Sequence, residues 1–532
     1  MRIRLVEPRP PGHTVYDFAM LPRLGLPLIG TLLARAGHDV KVYCELLAPL
    51  DLGECLTADV VGISATTSTA PAAYRLADLL SSAGVLVVLG GPHTSFRPEE
   101  ALDHAPFVVR GEGQATMLEL IACLSGSGDL GAVQGLSLVW GDGERRHNPA
   151  RPMTSQADFA ALPVPNLSLL VGHEKMATKP VMTQWGCPFD CEFCSVTAMF
   201  SRSVRHRSAE QVVQEIAAMG AERVFFYDDN FVVNKARTAR LLQAMVAAGQ
   251  TPPWFAQVRA DVVLSSQGRP ELDHRFLELM RRAGAQIVMI GFETITDEGL
   301  ASVGKRLSVA TEERAVAALH KHGIAVHGMF VAGLDTDETS SAVATARFAR
   351  RLGIDTFQLM AETPLPGTKL WTRAAAEERL LSDDWSLFDG HHVVMRPALM
   401  SALDLQLGIL EATSRFYSWP SIIRSGLAGV LSHLPDLVGP SGPPVLRQLP
   451  ALAKMAVARR WDEVVPYLQE KLPPASFSGL AEAFWLPLTR VYARRQLSAW
   501  WAAARSRAHL ELLRSLASGT PPSPDIFLGP AR

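Results

Sequence analysis

The sequence predicts an α/β protein in three parts: an N-terminal doubly wound parallel sheet, a partial (β/α)6 barrel, and a helical C-terminal region. Three observations predict it. Short β-rich runs alternate with helical periodicities over residues 1–150 and again over 176–400, the pattern of parallel sheets covered by helices. From about Ser401 the periodicity is helical alone. The 532 residues are 48% hydrophobic and 20% charged, enough for several packed cores and unlike a disordered or fibrous chain. The net charge is −2, so no basic excess exists to hold a polyphosphate backbone, and nucleic acid is not the expected partner. Charges at Arg2 and Arg4 fall where a signal peptide needs an apolar run. No apolar stretch reaches the roughly 18 residues of a membrane span, so a cytoplasmic protein is expected.

Five β-rich runs open the chain: Arg2–Glu7, Val40–Tyr43, Val60–Ser64, Val85–Gly90 and Phe107–Arg110. Helical spacing occurs at Leu28–Arg35, Pro71–Ser82 and Gln114–Leu124. The unbroken apolar run from Val85 to Leu89 suits a strand covered on both faces. Ligands of such sheets bind beyond the carboxyl ends of the strands. The loops there carry Ser64, Thr66 and Thr67 after the third strand, and Gly90, Gly91 and His93 after the fourth. Gly111, Glu112, Gly113 and Gln114 follow the fifth. Hydroxyls and amides can bond the rim of a large planar ligand, and glycines let backbone approach it closely. No Gly-x-Gly-x-x-Gly follows the first strand, so a nicotinamide dinucleotide is not expected.

Residues 151–175 contain prolines and little periodicity and are read as a linker. Strands then recur at Val181–Trp185, Arg223–Tyr227, Trp254–Val258, Gln286–Ile290, Ala325–Val331 and Thr356–Leu359. Helices separate them at Ser208–Met219, Lys235–Ala248, Asp273–Ala283, Ala310–Lys321 and Thr339–Leu352. Six such units are most of a (β/α)8 barrel, whose chemistry sits at the carboxyl ends of its strands. A partial barrel leaves a lateral opening for a substrate or a second domain. Polar residues fall at those ends: Asp228, Asp229 and Asn230, then Gln257, Arg259 and Asp261, then Glu293 behind Gly291. Gly328 and Gly333 bracket the end of the fifth strand.

Of six cysteines, Cys44, Cys55 and Cys123 stand apart, while Cys187, Cys191 and Cys194 crowd into eight residues. Three thiolates on one tight loop can hold three irons of a four-iron cluster and leave the fourth open to another ligand. A structural zinc site wants four ligands in a closed shell. Here His173 or His206 would have to supply the fourth, and the paired Cys-x-x-Cys spacing is absent.

Cys-x-x-x-Cys-x-x-Cys after the first strand of such a barrel resembles the radical S-adenosylmethionine (SAM) enzymes. The N-terminal unit, with its Gly-Gly-Pro-His-Thr and Gly-Glu-Gly-Gln loops, resembles the Rossmann-like cobalamin-binding domain of their cobalamin-dependent group. That group includes carbon methylases and the anaerobic magnesium-protoporphyrin monomethyl ester cyclase. The resemblance covers about residues 1–400. It implies a [4Fe-4S] cluster on Cys187, Cys191 and Cys194, with SAM chelating the open iron. It implies SAM contacts from Phe193 at the adenine and from Asp228 and Asp229 near the amino group. Arg259, Gly291 and Glu293 would meet the ribose and methionine portions, and Gly328 to Gly333 would back the adenine. Cobalamin would be cradled by Ser64, Thr66, Thr67, Gly90, Gly91, His93, Gly111 and Glu112. One departure is the absence of Asp-x-His-x-x-Gly, the pattern by which many cobalamin proteins put a histidine on cobalt. It leaves the lower ligand of cobalt open.

The implied activity is reductive cleavage of SAM to a 5′-deoxyadenosyl radical and methylation of an unactivated carbon in a small-molecule substrate, hydrophobic ones included. The electron donor would be a flavodoxin or ferredoxin. The alternative is an anaerobic cyclase or oxidising enzyme with the same cofactors. A methylthiotransferase would need a second cluster on Cys44, Cys55 and Cys123 and a basic C-terminal β-barrel. A non-catalytic cobalamin sensor would not need the intact cysteine triad. The region 401–532 reads as a helical domain, with helices at Leu405–Tyr417, Pro444–Arg459 and Leu488–Ala517. Residues 451–532 carry 11 Lys and Arg against 6 Asp and Glu, with four tryptophans. A helical cap on the barrel is expected there, with peripheral contact to an anionic membrane through Trp500 and Trp501 as the alternative.

Overall fold

The computed structural model describes residues 1–9, 21–141, 143–265, 271–305, 307–418, 420–422, 509–510 and 513–515. The chain divides into two compact units, Met1–Ala412 with Ala503–Arg532, and Thr413–Ala502. The helix expected at Leu405–Tyr417 is present as Ala402–Phe416. The expected Pro444–Arg459 helix and the basic, Trp-bearing Leu488–Ala517 segment lie outside the described residues, apart from 509–510 and 513–515.

The first sheet holds β1 (Arg2–Glu7), β2 (Asp39–Cys44), β3 (Val60–Ser64), β4 (Leu86–Gly90), β5 (Phe107–Val109), β6 (Leu136–Val139) and β7 (Arg145–His147). Their spatial order is β2-β1-β3-β4-β5-β6-β7. The pairings among β1 to β5 are parallel, while β6 and β7 pair antiparallel. Ile3, Leu5, Val40 and Val42 bury one face, and Val6, Val61, Ile63 and Val87 bury the other. A strand apolar on both faces must be covered on both, hence the doubly wound form. The order reverses between β1 and β3, so the ligand crevice falls outside their carboxyl ends. The β6–β7 hairpin escapes sequence reading because Arg145, Arg146 and His147 are all exposed and carry no apolar alternation.

The second sheet holds β8 (Thr178–Val181), β11 (Arg223–Phe226), β12 (Trp254–Val258), β13 (Ala285–Glu293), β14 (Ala325–Ala332) and β15 (Thr356–Ala361). They run in the order β8-β11-β12-β13-β14-β15 with every pairing parallel. This is the expected six-stranded partial barrel. The helices between are set by local chemistry. Ala209–Met219, for one, starts on a Ser208/Gln211 capping box and stops at left-handed Gly220 (φ +54°).

The first barrel strand differs from the expected Val181–Trp185. It starts earlier and ends at Val181, and a two-residue strand β9 (Gln184–Trp185) then pairs antiparallel with β10 (Arg205–His206). The cause is Asp228. Its buried carboxylate accepts the backbone N–H of Thr183 at 2.7 Å and of Gln184 at 3.2 Å, which takes those donors out of the ladder. The stretch read as a linker also holds structure: Ser155 caps a short helix, Gln156–Ala161, that buries Phe159.

A buried ion pair joins the end of β5 in the first sheet to the β9–β10 pair that flanks the cysteine segment. Glu112, after β5, pairs with Arg205 of β10, the two side chains being 3% and 5% exposed. The same carboxylate accepts the Thr154 N–H at 2.7 Å. Removing one partner of a buried pair strands the other charge. Glu112→Ala should therefore cost about 3–5 kcal/mol, read as a lower urea midpoint for the barrel's near-ultraviolet circular dichroism. An unchanged midpoint would show that water replaces the carboxylate freely.

Candidate functional site

The cysteine loop leaves the barrel at the carboxyl end of its first strand. Gly186 (φ +85°) starts it, and a Cβ there would overlap the Ser203 carbonyl. Its N–H donates to Asp229 Oδ2 at 3.2 Å. Burial pushes both Asp228 and Asp229 up to about 6, against the bonds each accepts. Asp228 thus fixes the strand end and Asp229 the base of the loop. Cys187, Cys191 and Cys194 are half-buried and close enough to sense one another's charge. Burial raises all three thiols, Cys194 to about 11, while Arg259 favours the thiolates of Cys187 and Cys191. Among the described residues no three His, Cys, Asp or Glu close on a single ion. The donor set fits a cluster in which each thiolate takes its own iron, and it does not form a closed zinc shell.

Two carboxylates ride on this loop, and the Lys369–Ala376 helix after β15 answers both. Lys369 Nζ lies 2.6 Å from Asp190 Oδ2, and Arg373 Nε lies 2.8 Å from Glu192 Oε1. The Leu370 N–H donates to the Glu192 carbonyl at 3.1 Å. Arg373 also reaches Asp335 at 2.6 Å, and Arg379 completes that group at 2.7 Å. Phe193 packs with Leu370, Ala374, Leu380 and Met395, so its ring docks the loop on this helix. On the other side the Arg259 guanidinium sits 3.7 Å from the Phe189 ring centre and 3.3 Å from Asp261.

At the end of β13, Glu293 has φ +65°, a strained value for a non-glycine residue. A Cβ on Gly291 would overlap its carboxylate. Lys305 bridges the two, bonding the Gly291 carbonyl and, at 2.8 Å, Glu293 Oε1. Glu312 lies fully buried nearby, with no hydrogen-bond partner at either carboxyl oxygen, and burial pushes it up to about 9. Gly328 faces the helical layer, where a Cβ would meet Phe330 and Ile354. Gly333 turns the chain after β14 at φ +96°, against Leu405. The structure therefore brings Asp229, Arg259, Gly291 and Glu293 to the cysteine loop and puts Gly328 of β14 and Gly333 just after it in packing positions.

At the carboxyl ends of β3, β4 and β5 the loops are tied to one another. Ala65 N–H donates to the Gly90 carbonyl at 2.8 Å, and Ser95 Oγ links the Gly91 carbonyl (2.7 Å) to the Gly111 N–H (2.9 Å). Gly91 (φ +99°) is needed there, because a Cβ would come within 2.6 Å of the Ala65 carbonyl. Ser64 and Thr66 are half-buried, Thr67 is buried, and the Thr66 N–H is held by Thr69 Oγ1 at 2.9 Å. Gln114 Oε1 is buried without a partner. An open, glycine-lined rim with an unspent amide oxygen fits a corrin ring edged by amide donors. His93 sits lower. Its ring is fully buried, 3.4 Å from Glu100 and 4.9 Å edge-on from Trp385. Glu112 is held by Arg205. These two brace the cradle from behind.

Sequence reading missed Lys305, Glu312, Arg373 and Trp385. Arg373 and Trp385 meet partners far along the chain, Lys305 meets the end of β13 some 12 to 14 positions back, and Glu312 has no hydrogen-bond partner at its carboxyl oxygens, so no local spacing marks them. An open groove of about 690 Å³ between the Lys235–Ala247 and His274–Arg282 helices lies outside the barrel. It is remote from the strand ends where the site is built.

Residues 181–349 match the radical SAM superfamily and residues 19–121 the B12-binding domain. An uncharacterised methyltransferase of Pyrococcus horikoshii is 31% identical over 421 residues, 76% of this chain and 89% of that protein. The chain belongs to the radical SAM superfamily, in its cobalamin-binding group. The bacteriochlorophyllide d C-12(1)-methyltransferase of Chlorobaculum tepidum is 28% identical, over 79% of this chain and 88% of that one. The solved cobalamin-dependent SAM radical enzyme OxsB shares the fold at 18% identity, with a TM-score of 0.62 over 99% of this chain and 82% of that one. This radical SAM protein is thus an enzyme whose cofactors are a [4Fe-4S] cluster, SAM and cobalamin. Among its described residues no helix is long and apolar enough to cross a membrane.

If the Lys369–Ala376 helix holds the cysteine loop, cutting its main bridge should loosen the cluster. Arg373→Ala should lower iron affinity by on the order of tenfold, as outer-shell changes at metal sites do, measured by chelator competition after anaerobic reconstitution. Arg373→Lys should recover little, since one ammonium does not span Glu192 and Asp335 as a guanidinium fork does.

Proposed function

We propose that this radical SAM enzyme is a C-methyltransferase acting on an unactivated carbon of a small molecule. The observation that carries the reading is that the cradle loops meet the segment following the barrel. Trp385 Nε1 donates to Glu100 at 2.8 Å, and the Arg97 guanidinium lies 5.6 Å from the Trp385 ring centre. Trp385–Leu387 packs on Thr67–Thr69, and a Cβ on Gly367 would overlap Phe96. A methyl carrier in the cradle and a radical source at the cysteine loop would thus share one substrate. The Chlorobaculum and Pyrococcus methyltransferases support transfer of a methyl group. The anaerobic magnesium-protoporphyrin IX monomethyl ester cyclase of Synechocystis, 28% identical over 74% of this chain, supports the second reading.

When bound, the cofactors supply reductive SAM cleavage to a carbon radical and a methyl group for transfer. The protein's part is to hold and exclude. In this reading Cys187, Cys191 and Cys194 hold the cluster, and Arg259 and Lys305 offset the charge of the thiolates. Asp229, Arg259, Gly291 and Glu293 shape the SAM site. Ser64, Thr66, Thr67, Gly90, Gly91 and Gly111 cradle cobalamin, braced by His93 and Glu112. All six cysteines are free, which supports a reducing, cytoplasmic setting with a ferredoxin or flavodoxin as donor.

A methylase consumes one SAM as radical source and a second as methyl donor. Turnover should give 5′-deoxyadenosine and S-adenosylhomocysteine in similar amounts, with a methyl mass gain in the product. 5′-Deoxyadenosine without the homocysteine product would instead establish the cyclase reading. Cys191→Ala should abolish 5′-deoxyadenosine and strip the cluster iron, whereas Cys123→Ala, altering a half-buried thiol packed on the first core, should change neither.

With His93 turned toward Glu100 and Trp385, cobalt should carry no protein nitrogen. Electron paramagnetic resonance of the Co(II) form should show no nitrogen superhyperfine splitting from a protein ligand, so the spectrum should be unchanged in His93→Ala. A triplet splitting lost in that variant would make His93 the lower ligand.

A further inference from the structure

We propose that the barrel lumen binds an amphiphile, a molecule with a large apolar body and an uncharged hydroxyl, ketone or amide group that His327 and Gln358 hold. The assignment rests on the methyl-transfer reading for the reaction and adds the class of substrate.

The inner face of the barrel strands is less buried than the outer face. Along β14, Val326, Gly328, Phe330 and Ala332 are buried against the helices, whereas the alternate residues His327, Met329 and Val331 are only half-buried. The same alternation runs through β11, β12 and β15. In a filled (β/α)8 barrel both faces are packed, so the half-exposure of the inner face marks space for a ligand.

Strand register sorts the inner residues into levels. Phe225 pairs with Phe255 at the floor. Gln257, Met289 and His327 share the next level on adjacent strands. Met329 pairs with Gln358 and Val331 with Met360 above them. Three methionines and two phenylalanines give an apolar, adaptable wall.

The polar groups among them are lightly held. His327 Nδ1 lies 2.8 Å from Thr356 Oγ1, but its Nε2 is 3.3 Å from Gln358 Oε1. The Gln358 amide donates to the Met360 sulfur at 3.0 Å, a weak acceptor. A substrate oxygen would replace that sulfur at little cost. Burial lowers the His327 pKa, so the ring is a neutral donor and acceptor. The charges above are already committed, Lys305 to Glu293 and Arg259 to Asp261. An ionised substrate group at the level of His327 would find no counter-charge, and burying it would be costly.

The test uses the reconstituted full chain and four probes of one length: decan-1-ol, decane, decanoate and decylamine. Binding is read by titration calorimetry. Decan-1-ol should bind tightest, by about threefold to tenfold over decane, the worth of a hydrogen bond, and the two ions weakest. His327→Phe with Gln358→Leu should erase the preference for decan-1-ol over decane and leave decane bound. Met289→Arg should abolish binding of decane and decan-1-ol. Should that variant lose its iron, the His327/Gln358 variant decides alone. Preference for either ion, no binding at all, or an alcohol preference that survives His327→Phe/Gln358→Leu overturns the assignment. SAM cleavage and the nucleoside balance, measured on the same preparation, report on the methyl-transfer reading separately. Intact methyl transfer with no probe binding removes the chamber alone.

Discussion

The cysteine loop presents a charge problem that shapes its surroundings. Three thiols must become thiolates to hold iron, yet burial raises every one of them. Asp190 and Glu192 flank Cys191 and would make the loop more negative still. The structure answers with cations from different elements. Lys369 and Arg373 take the two carboxylates, and Arg259 and Lys305 lie within electrostatic reach of the thiols. Net charge and hydrogen bonding near a cluster set how readily it accepts an electron. The clamp therefore fixes loop position and electron affinity at once. It also explains why the helix after the last strand is placed as it is, since Leu370 and Arg373 face the loop while Ala374 packs under Phe193.

A second constraint follows from the methyl-transfer reading, in which two cofactor sites serve one carbon. Each sheet offers a site only at its carboxyl edge, so the two edges must meet. The chain enforces this with buried contacts of two kinds. Glu112 and Arg205 form an ion pair whose loss on either side leaves a buried charge. His93, Arg97 and Glu100 close around Trp385 through ring contacts and a hydrogen bond. Directional contacts fix orientation better than apolar surface does, because apolar surface is indifferent to small slides.

Much of this was legible in the sequence because the signals are local. Alternating β-rich and helical runs marked the parallel strands of both sheets, with strand ends correct to within a few residues, but not the antiparallel β6–β7 hairpin. The cysteine spacing lies within eight residues and needed no fold to be noticed. What escaped reading depends on distance along the chain. Arg373 meets Glu192 across 181 positions and Trp385 meets Glu100 across 285, and nothing near either residue announces its partner. Asp228 shows the other limit. It stood out as a polar residue at a strand end, but its carboxylate is spent on Thr183 and Gln184, whereas its neighbour Asp229 reaches the loop. Adjacent carboxylates alternate sides at a strand end, and composition does not say which side is which.

A barrel whose inner face is less packed than its outer one raises a question of stability that the outer face answers. A lumen kept open for substrate gives up the side-chain layers that stabilise a closed barrel. The lost packing has to be made good between strands and helices. Trp254, fully buried, sends its indole N–H to the Ala283 carbonyl at 3.0 Å and lies against Phe226 and Phe231, which stack at 4.4 Å. On β13 and β14, Phe292 and Phe330 stack at 5.1 Å on the same outer side. Aromatic pairs in such geometry contribute beyond the area they bury. The division of labour along each strand then becomes intelligible. Outward aromatic residues are rigid and dry, and the inner face includes methionine, glutamine and histidine, which can reorganise around a ligand without unfastening the sheet.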